Sequence, residues 1–159
     1  MPLTFNIRHL ETKDLPFTGE LPVAELELDW QDDMVQFTGP LAYDLTAESL
    51  DDALLVRGEL MLPLELTCVR CLKKFSSPLR LENWACHLPL TGEDAVSVSN
   101  DLVNLTPYVR EDILLTLPQH PLCETECGGL KLPARKEPSV AFEEVPSAWD
   151  ELDKLKLKN

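Results

Sequence analysis

The chain has 159 residues, with 28 acidic side chains against 14 Lys and Arg, so its formal net charge is −14. This length can bury the core of one domain, and 13 prolines against six glycines indicate short elements with sharp ends, as in a strand-rich fold. Because an acidic chain repels nucleic-acid phosphates, the composition argues against a general nucleic-acid binder and favours a basic partner.

The N-terminal stretch MPLTFNIRHL lacks the basic and apolar regions of a signal peptide, and no apolar run is long enough to cross a bilayer. We therefore expect a cytoplasmic protein with no membrane partner. In a reducing compartment, the five cysteines indicate thiols or metal ligands in preference to disulfides.

Alternating apolar and polar residues predict antiparallel strands in the first half of the chain. The pattern occurs in PVAELELDW (22–30), in MVQFTGPLAYDL (34–45) and in the run from Leu54 to Leu66. Asp32–Asp33 predicts a hairpin turn between the first two runs. Each run places its apolar side chains on one face, which is typical of a sheet that covers a core on one side.

The next strand signal, SSPLRLENWACHLPL (76–90), returns alongside the third run. Its apolar register shifts near Glu82–Asn83, which indicates a β-bulge. Cys68–Cys71 lies between these two segments, so we expect it at the tip of a long hairpin.

A helix is predicted in LTPYVREDILLTLP (105–118). Thr106 suits the N-cap and Pro107 the first helical position. Val109, Ile113 and Leu117 fall on one stripe, and Pro118 ends the helix.

The remaining chain divides into a Cys-rich loop, a linker and a second helix. Residues 131–146 hold three prolines and mixed charges, which predicts a linker, and residues 147–159 predict an amphipathic helix with Trp149, Leu152 and Leu155 on its apolar stripe. We therefore expect an α+β fold over residues 1–130, with an antiparallel, curved or barrel-like sheet, two main helices and a zinc knuckle.

The cysteines form two short-spaced pairs, Cys68–Cys71 and Cys123–Cys127, separated by 51 residues. Four thiolates in a tetrahedral array suit Zn²⁺. Since four sulfurs fill the coordination shell, the predicted zinc is structural. Chelation is then expected to loosen the fold and not to remove a catalytic centre.

Other interpretations of these cysteines remain open. Cys68 and Cys71 can be a redox pair, although a thioredoxin-like CxxC is expected where a helix begins. Disulfides would require secretion. His120 is a reserve ligand, and Cys86, beside Trp84, is interpreted as a small core residue.

Half of the basic side chains lie close in sequence to the cysteine pairs: Arg70, Lys73, Lys74, Arg80, Lys131, Arg135 and Lys136. One interpretation is that they stabilise the net negative charge of a four-thiolate zinc site. The other is that they contact RNA phosphates while the acidic strands repel RNA or bind a basic protein. No nucleophile–base arrangement or phosphate-binding loop occurs, so we expect neither an enzyme nor a small-molecule substrate.

Four separated stretches resemble the YceD family of large ribosomal RNA subunit accumulation proteins. They are ELTCVRCLKKF (65–75), VNLTPYVREDILLTLP (103–118), HPLCETECGGL (120–130) and WDELDKLK (149–156). The family motifs fall on Cys68, Arg70, Cys71, Leu72, Arg110, Glu111, Asp112, Leu114, Cys123 and Cys127. Many members carry another cysteine after Gly129–Leu130, where this chain has Lys131.

The resemblance implies a bacterial or organellar protein of large-subunit biogenesis, needed for accumulation of 23S-type ribosomal RNA and without established catalytic activity. It implies ribosomal RNA or a pre-ribosome as a partner, and the charge adds a basic ribosomal protein. The alternatives are a redox-responsive thiol protein and an adaptor that uses the C-terminal helix.

Overall fold

The computed structural model describes residues 2–11 and 13–133, and antiparallel strands dominate this part. The strands are β1 (Thr4–Asn6), β2 (Leu15–Leu21), β3 (Val35–Phe37), β4 (Leu41–Ser49), β5 (Ala53–Leu62), β6 (Leu64–Thr67), β7 (Lys74–Ser76), β8 (Leu79–Pro89), β9 (Val98–Ser99) and β10 (Leu102–Asn104). The helix α1 covers Thr106–Thr116, and two 3-10 helices cover Ile7–Glu11 and Val23–Leu26.

These strands form three antiparallel sheets. The N-terminal sheet has the order β1-β10-β9, the central sheet β2-β4-β5-β8, and the tip sheet β3-β6-β7. Three segments of the chain run from one sheet into the next, because β3 leads to β4, β5 to β6, and β7 to β8. The tip sheet is therefore joined to the central sheet by three connections, and its Val35, Leu64 and Leu66 belong to the same core.

Prolines mark the boundary between the central and tip sheets. Pro40, Pro63 and Pro78 each stand where one of the three segments passes between the sheets, and proline lacks the N–H that a continuous ladder needs. The boundary is closed by the N–H of Thr38, which donates to the carbonyl of Pro63 at 3.1 Å. A Cβ on Gly39 would lie 2.9 Å from Cγ of Pro63, so this close crossing favours glycine.

The core lies between the inner faces of the sheets and the helix. Its fully buried side chains are mostly leucines from β4, β5, β6 and β8, joined by residues of α1: Leu41, Leu45, Val56, Leu62, Leu64, Leu88, Val109 and Ile113. Burial of each such side chain contributes roughly 1.5–3 kcal/mol to folding. The predicted helical stripe of Val109, Ile113 and Leu117 is buried, which confirms that this side of the helix faces the core.

The bulge predicted near Glu82–Asn83 is confirmed. Gly58 pairs with Trp84 and Leu60 pairs with Leu81, so two residues of β8 oppose one residue of β5. Gly58 has a φ of 153° at this point, and a Cβ there would lie 2.0 Å from the carbonyl oxygen of Asp44. Only glycine fits this close approach of β5 to β4.

The start of α1 differs from the prediction in its cap. Leu105 occupies the N-cap position, and Thr106 begins the helix. The Thr106 hydroxyl instead accepts a hydrogen bond from the N–H of Leu3 at 2.9 Å, while the Asn104 side chain accepts from the N–H of Thr106 at 3.0 Å. The threonine therefore joins the helix to the chain's N-terminal segment.

The prediction of an α+β fold with two main helices is wrong. The described residues contain one α-helix, α1, and the second expected helix (147–159) lies outside them, as does the expected linker from residue 134 onward. The expected single curved or barrel-like sheet is also replaced by three sheets. Prolines separate the tip sheet from the central sheet, because they interrupt strands whose alternation continues past them, while the third sheet forms where β10 pairs with β1 and β9.

The first predicted strand, PVAELELDW, is also wrong. Val23–Leu26 form a 3-10 helix that ends at Glu27, whose φ is 48°, and Leu26 is fully buried. Because this strand does not form, Asp32–Asp33 does not connect two paired strands, and the predicted hairpin is also wrong. The strand beside β4 is β2, which precedes this run.

No helix in the described part of the chain is long and apolar enough to span a membrane.

A charge-assisted hydrogen bond fastens α1 to the edge strand β8. The Nε1–H of the buried Trp84 donates to Oδ2 of Asp112 at 2.6 Å. The indole N–H of Trp30, by contrast, is buried without a hydrogen-bond partner among the described residues. The N–H of Trp84 therefore stabilises the fold through a hydrogen bond, whereas the N–H of Trp30 does not.

We predict that Trp84→Phe lowers the free energy of unfolding by about 1.5–3 kcal/mol through loss of the hydrogen bond, in addition to the smaller ring. Trp30→Phe is the control and should cost less, because it removes an unpaired N–H. Urea unfolding of both variants, and of Asp112→Asn with and without Trp84→Phe, measures the difference. Additive effects of Trp84→Phe and Asp112→Asn would contradict the assignment.

Candidate metal centre

The first cysteine pair lies in the turn between β6 and β7, at the hairpin tip as predicted. The N–H of Cys68 donates to the carbonyl of Lys73, and the N–H of Leu72 donates to the carbonyl of Cys68, both at 2.9 Å. Leu72 has a φ of 59°, in the left-handed region. These contacts close the turn and hold both sulfurs in one small loop.

The second pair lies in the loop that follows α1. The N–H of Cys127 donates to the carbonyl of Glu124 at 3.2 Å, which folds this loop on itself. We call residues 68–73 and 119–130 together the cysteine knuckle. Its two loops are joined by the N–H of Val69, which donates to the carbonyl of Pro121 at 3.0 Å.

Arg70 adds a second bond between the two loops. Its Nη1 donates to the carbonyl oxygen of Cys127 at 3.2 Å. Gly129, with a φ of 80°, lies beside the carbonyl of Arg70. Arg70 is therefore part of the framework that positions Cys127.

The four sulfurs of Cys68, Cys71, Cys123 and Cys127 all lie within 4.8 Å of one another. The Sγ atoms of Cys71 and Cys123 are 3.6 Å apart, and those of Cys68 and Cys127 are 3.8 Å apart. A disulfide would need about 2.0 Å. With Zn–S bonds of about 2.3 Å, the corners of a regular tetrahedron lie about 3.8 Å apart. The donor set and its spacing thus fit a tetrahedral metal ion.

Hydrogen bonds and burial shift the pKa values of three of the clustered thiols in different directions. Backbone N–H groups of Cys123 and then Cys71 donate to the sulfur of Cys68 and lower its pKa to about 6, against the effect of burial. The hydrogen bond to Cys71, followed by burial, raises the pKa of Cys123 to about 12. The N–H of Gly129 lowers the pKa of Cys127, as does the Cys123 thiol, but burial and the thiols of Cys71 and Cys68 outweigh these effects and raise it.

A bound metal ion would stabilise this arrangement, because the lowered pKa of Cys68 favours one thiolate while the raised pKa values of Cys123 and Cys127 oppose further negative charge. A divalent cation bound by all four sulfurs would offset two of their four negative charges. Cys68 is fully buried and the other three are half-buried, so the chelating atoms are shielded from solvent.

The remaining thiol is separate from this cluster. Cys86 lies on β8, half-buried against the core, and burial followed by the charge of Asp112 raises its pKa to about 11. His120, the reserve ligand, is not among the clustered groups and lines a cavity with Phe75 and Leu122.

The seven bases predicted for RNA or partner contact have different surroundings. Lys73 and Lys131 are exposed and form no ion pair in the described part of the chain, whereas Lys74 pairs with Glu65 at 3.0 Å. Arg80 lies on the central sheet, beside Asp44 and Glu59. Arg135 and Lys136 lie outside the described residues. Their contact role stays a prediction.

Three features of the site escaped the sequence analysis. The bond from Val69 to Pro121 and the left-handed conformation of Leu72 depend on the meeting of the loops, and no local signal marks them. The only sequence signal for the hydrogen bond from Arg70 to the Cys127 carbonyl was the position of the arginine between Cys68 and Cys71.

A family model described as "Large ribosomal RNA subunit accumulation protein YceD" matches residues 56–156, which is more than half of the 159 residues. The chain belongs to the YceD family. The match runs from β5 through both loops of the cysteine knuckle and confirms the resemblance drawn from the motifs. The family is named for accumulation of ribosomal RNA and not for an enzymatic reaction.

Mycobacterial proteins are among the relatives of this YceD chain. The uncharacterized protein Rv2926c of Mycobacterium tuberculosis (strain H37Rv) is 29% identical over 128 residues, covering 70% of this chain and 60% of that protein. The uncharacterized protein ML1660 of Mycobacterium leprae is 27% identical over 105 residues, covering 61% and 48%. The chain thus matches about half to three fifths of the length of these relatives. No solved structure matches it.

We predict that Cys71→Ser and Cys123→Ser each lower the bound zinc of the purified protein well below one ion per chain, because a serine hydroxyl is a poor zinc ligand. Cys86→Ser is the matched control and should keep the wild-type metal content. Metal analysis after dialysis gives the readout. Equal zinc in all four proteins would exclude this cluster as the site.

We predict that Arg70→Ala accelerates release of zinc to a chelator, since it loses the bond that holds the second loop at Cys127. Lys73→Ala removes the same charge from the same turn without breaking a bond between the loops, and it should release zinc at the wild-type rate. A colorimetric chelator assay follows both variants. If both variants release zinc faster than the wild type and at the same rate, the positive charge, and not the Arg70 hydrogen bond, stabilises the site.

Proposed function

We propose that the protein is a non-enzymatic factor in biogenesis of the large ribosomal subunit, which supports accumulation of 23S-type ribosomal RNA. The observation that carries this proposal is the YceD match over residues 56–156, which includes both loops of the cysteine knuckle. The role named for the family is thus attributed to the part of the chain that contains the clustered sulfurs.

The proposed cofactor is one structural Zn²⁺ held by the two cysteine pairs. Four thiolates leave no open coordination position for a substrate, so the metal has a folding role. Structural zinc contributes about 10–16 kcal/mol of apparent binding free energy in small modules. Here it would close a loop of 51 residues between Cys71 and Cys123 and keep the tip sheet fastened to the end of α1.

The basic residues in and directly beside the cysteine knuckle support a contact with RNA phosphates. Lys73 and Lys131 are exposed and without ion pairs in the described part, so they can bind an anion without breaking an internal contact. Arg70 and Lys74 are already engaged, by Cys127 and Glu65 respectively. We therefore assign the phosphate contact to the two lysines first.

The central sheet supports a second contact, with a basic ribosomal protein. Asp44 lies directly opposite Glu59, and Glu82 follows at the bulge of β8, so three exposed acids stand side by side across three strands. None of them forms an ion pair among the described residues. Like charges in this arrangement repel, Arg80 beside them supplies one positive charge, and a cationic partner would relieve the remaining repulsion.

The RNA contact is tested with the full chain in a pull-down from lysate followed by RNA sequencing. Lys73→Gln with Lys131→Gln should reduce recovery of 23S-type ribosomal RNA, and the slope of log K against log salt should fall by roughly 0.7–0.9 per lost contact. Lys13→Gln, at an exposed lysine outside the cysteine knuckle, is the matched control. Unchanged recovery in both variants would contradict the phosphate contact.

The same preparation separates the alternative functions. About one tightly held zinc per chain supports the structural centre. Reversible disulfide formation by Cys68 and Cys71 without metal would favour a redox-responsive thiol protein instead. Loss of partner binding only on deletion of residues 147–159 would favour the adaptor.

A further inference from the structure

The clustered thiols are placed to be joined in pairs by oxidation. Four cysteines allow three sets of two disulfides. Sγ of Cys71 lies 3.6 Å from Sγ of Cys123. Sγ of Cys68 lies 3.8 Å from Sγ of Cys127. These two contacts share no residue, and each takes one cysteine from each loop, so together they form one of the three sets.

Only a small movement separates these sulfurs from bonding distance. Because an S–S bond is about 2.0 Å long, each pair would have to approach by about 1.6–1.8 Å. Other contacts hold the loops together without using the sulfurs. The N–H of Val69 donates to the carbonyl of Pro121 at 3.0 Å, and Nη1 of Arg70 donates to a carbonyl of the second loop at 3.2 Å. Sulfurs of opposite loops therefore stay neighbours without a cation between them.

The competing pair lies within the first loop, where Cys68 and Cys71 are separated by two residues. A bond between them would constrain only this turn, whereas a bond from Cys71 to Cys123 would enclose 51 residues. A cross-link over a longer loop restricts the unfolded chain more and stabilises the folded protein more. By the same thermodynamic cycle, folding favours the bonds between the loops over the bond within one loop.

Exposure determines which pair is oxidised first. Cys71 and Cys123 are both half-buried, whereas Cys68 is fully buried. Oxidation of a cysteine depends on its access to solvent as well as on its thiolate character. A dissolved oxidant therefore reaches the pair of Cys71 and Cys123 before it reaches the pair that contains Cys68.

We propose that hydrogen peroxide converts the clustered thiols into two disulfides between the loops, which hold the cysteine knuckle together in place of a metal ion. The bond between Cys71 and Cys123 forms first, and the bond between Cys68 and Cys127 follows. The proposal depends on the geometry of the cluster and is independent of the ribosomal role.

Each disulfide consumes one molecule of peroxide. The first thiolate of a pair attacks a peroxide oxygen, so that the O–O bond breaks and a sulfenic acid forms with release of hydroxide. The second thiolate attacks this sulfur, so that the S–S bond forms while the S–O bond breaks and a second hydroxide leaves. With the two thiol protons, the products are one disulfide and two waters. Because zinc binds thiolates, oxidation of a pair removes two of its ligands.

Proteolysis of the oxidised protein identifies the pairing directly. Trypsin cuts after Arg70, and Glu-C cuts after Glu124 and Glu126. A double digest therefore separates the four clustered cysteines, which lie in the peptides 66–70, 71–73, 112–124 and 127–131. The zinc-loaded full chain is treated with hydrogen peroxide, alkylated, digested without reductant and analysed by mass spectrometry.

At one equivalent of peroxide we expect peptide 71–73 linked to peptide 112–124. Excess peroxide should add the link between 66–70 and 127–131, and zinc release to a colorimetric chelator should rise with the loss of free thiols. Cys86→Ser is the control, because Cys86 lies apart from the cluster, and both links should remain.

A link between peptides 66–70 and 71–73 would overturn the proposal in favour of pairing within the first loop. The third possible pairing, links between different copies of the chain, or thiols that stay reduced in excess peroxide would also overturn it.

A second measurement tests whether the disulfides hold the loops in place of a metal ion. The oxidised protein should unfold at a higher urea concentration than the reduced protein stripped of zinc. Oxidised Cys127→Ser, which keeps only the first bond, should lie between them. An oxidised protein no more stable than the reduced one would contradict the proposed role of the bonds. Neither measurement involves RNA, so their failure leaves the ribosomal function to be judged separately.

Discussion

Four sulfur atoms within 4.8 Å of one another join two loops that stand far apart in the chain. The hairpin tip follows β6, whose Leu64 and Leu66 belong to the core, and the second loop follows α1, which ends at Thr116. Two hydrogen bonds, from Val69 and from Arg70, support the junction. The shape and charge of this end of the molecule depend on that convergence.

Residues of one type take different roles around this junction. Arg70 donates a hydrogen bond to the Cys127 carbonyl of the opposite loop, and Lys74 forms an ion pair with Glu65. Lys73 and Lys131 are exposed and form no ion pair among the described residues, while exposed acids lie on the central sheet, at Asp44 and Glu59, and in the second cysteine loop, at Glu124 and Glu126. Exposed bases and acids therefore occur together both around the cysteines and on the central sheet.

Short-range patterns predicted the features that depend on local chemistry. The pairing of the cysteines, the position of Cys68–Cys71 at a hairpin tip, the bulge at Glu82–Asn83 and the buried stripe of α1 could all be predicted from spacing and period. The division into three sheets could not, since alternation continues through Pro63 although the ladder does not. Nor could the 3-10 helix at Val23–Leu26, whose four residues are too few to distinguish the two periods. The roles of Arg70 and Thr106 depend on partners distant in sequence, which spacing does not reveal.

The short strands of the tip sheet bear on self-association. Its two outer strands, β3 and β7, have three residues each. An incoming chain would find few free backbone groups along such an edge, whereas a long, flat and apolar edge is a template for aggregation. The prolines that divide the sheets also keep these edges short. If the contacts between the two cysteine loops were lost, the tip sheet would therefore open without exposing a long edge strand to neighbouring molecules.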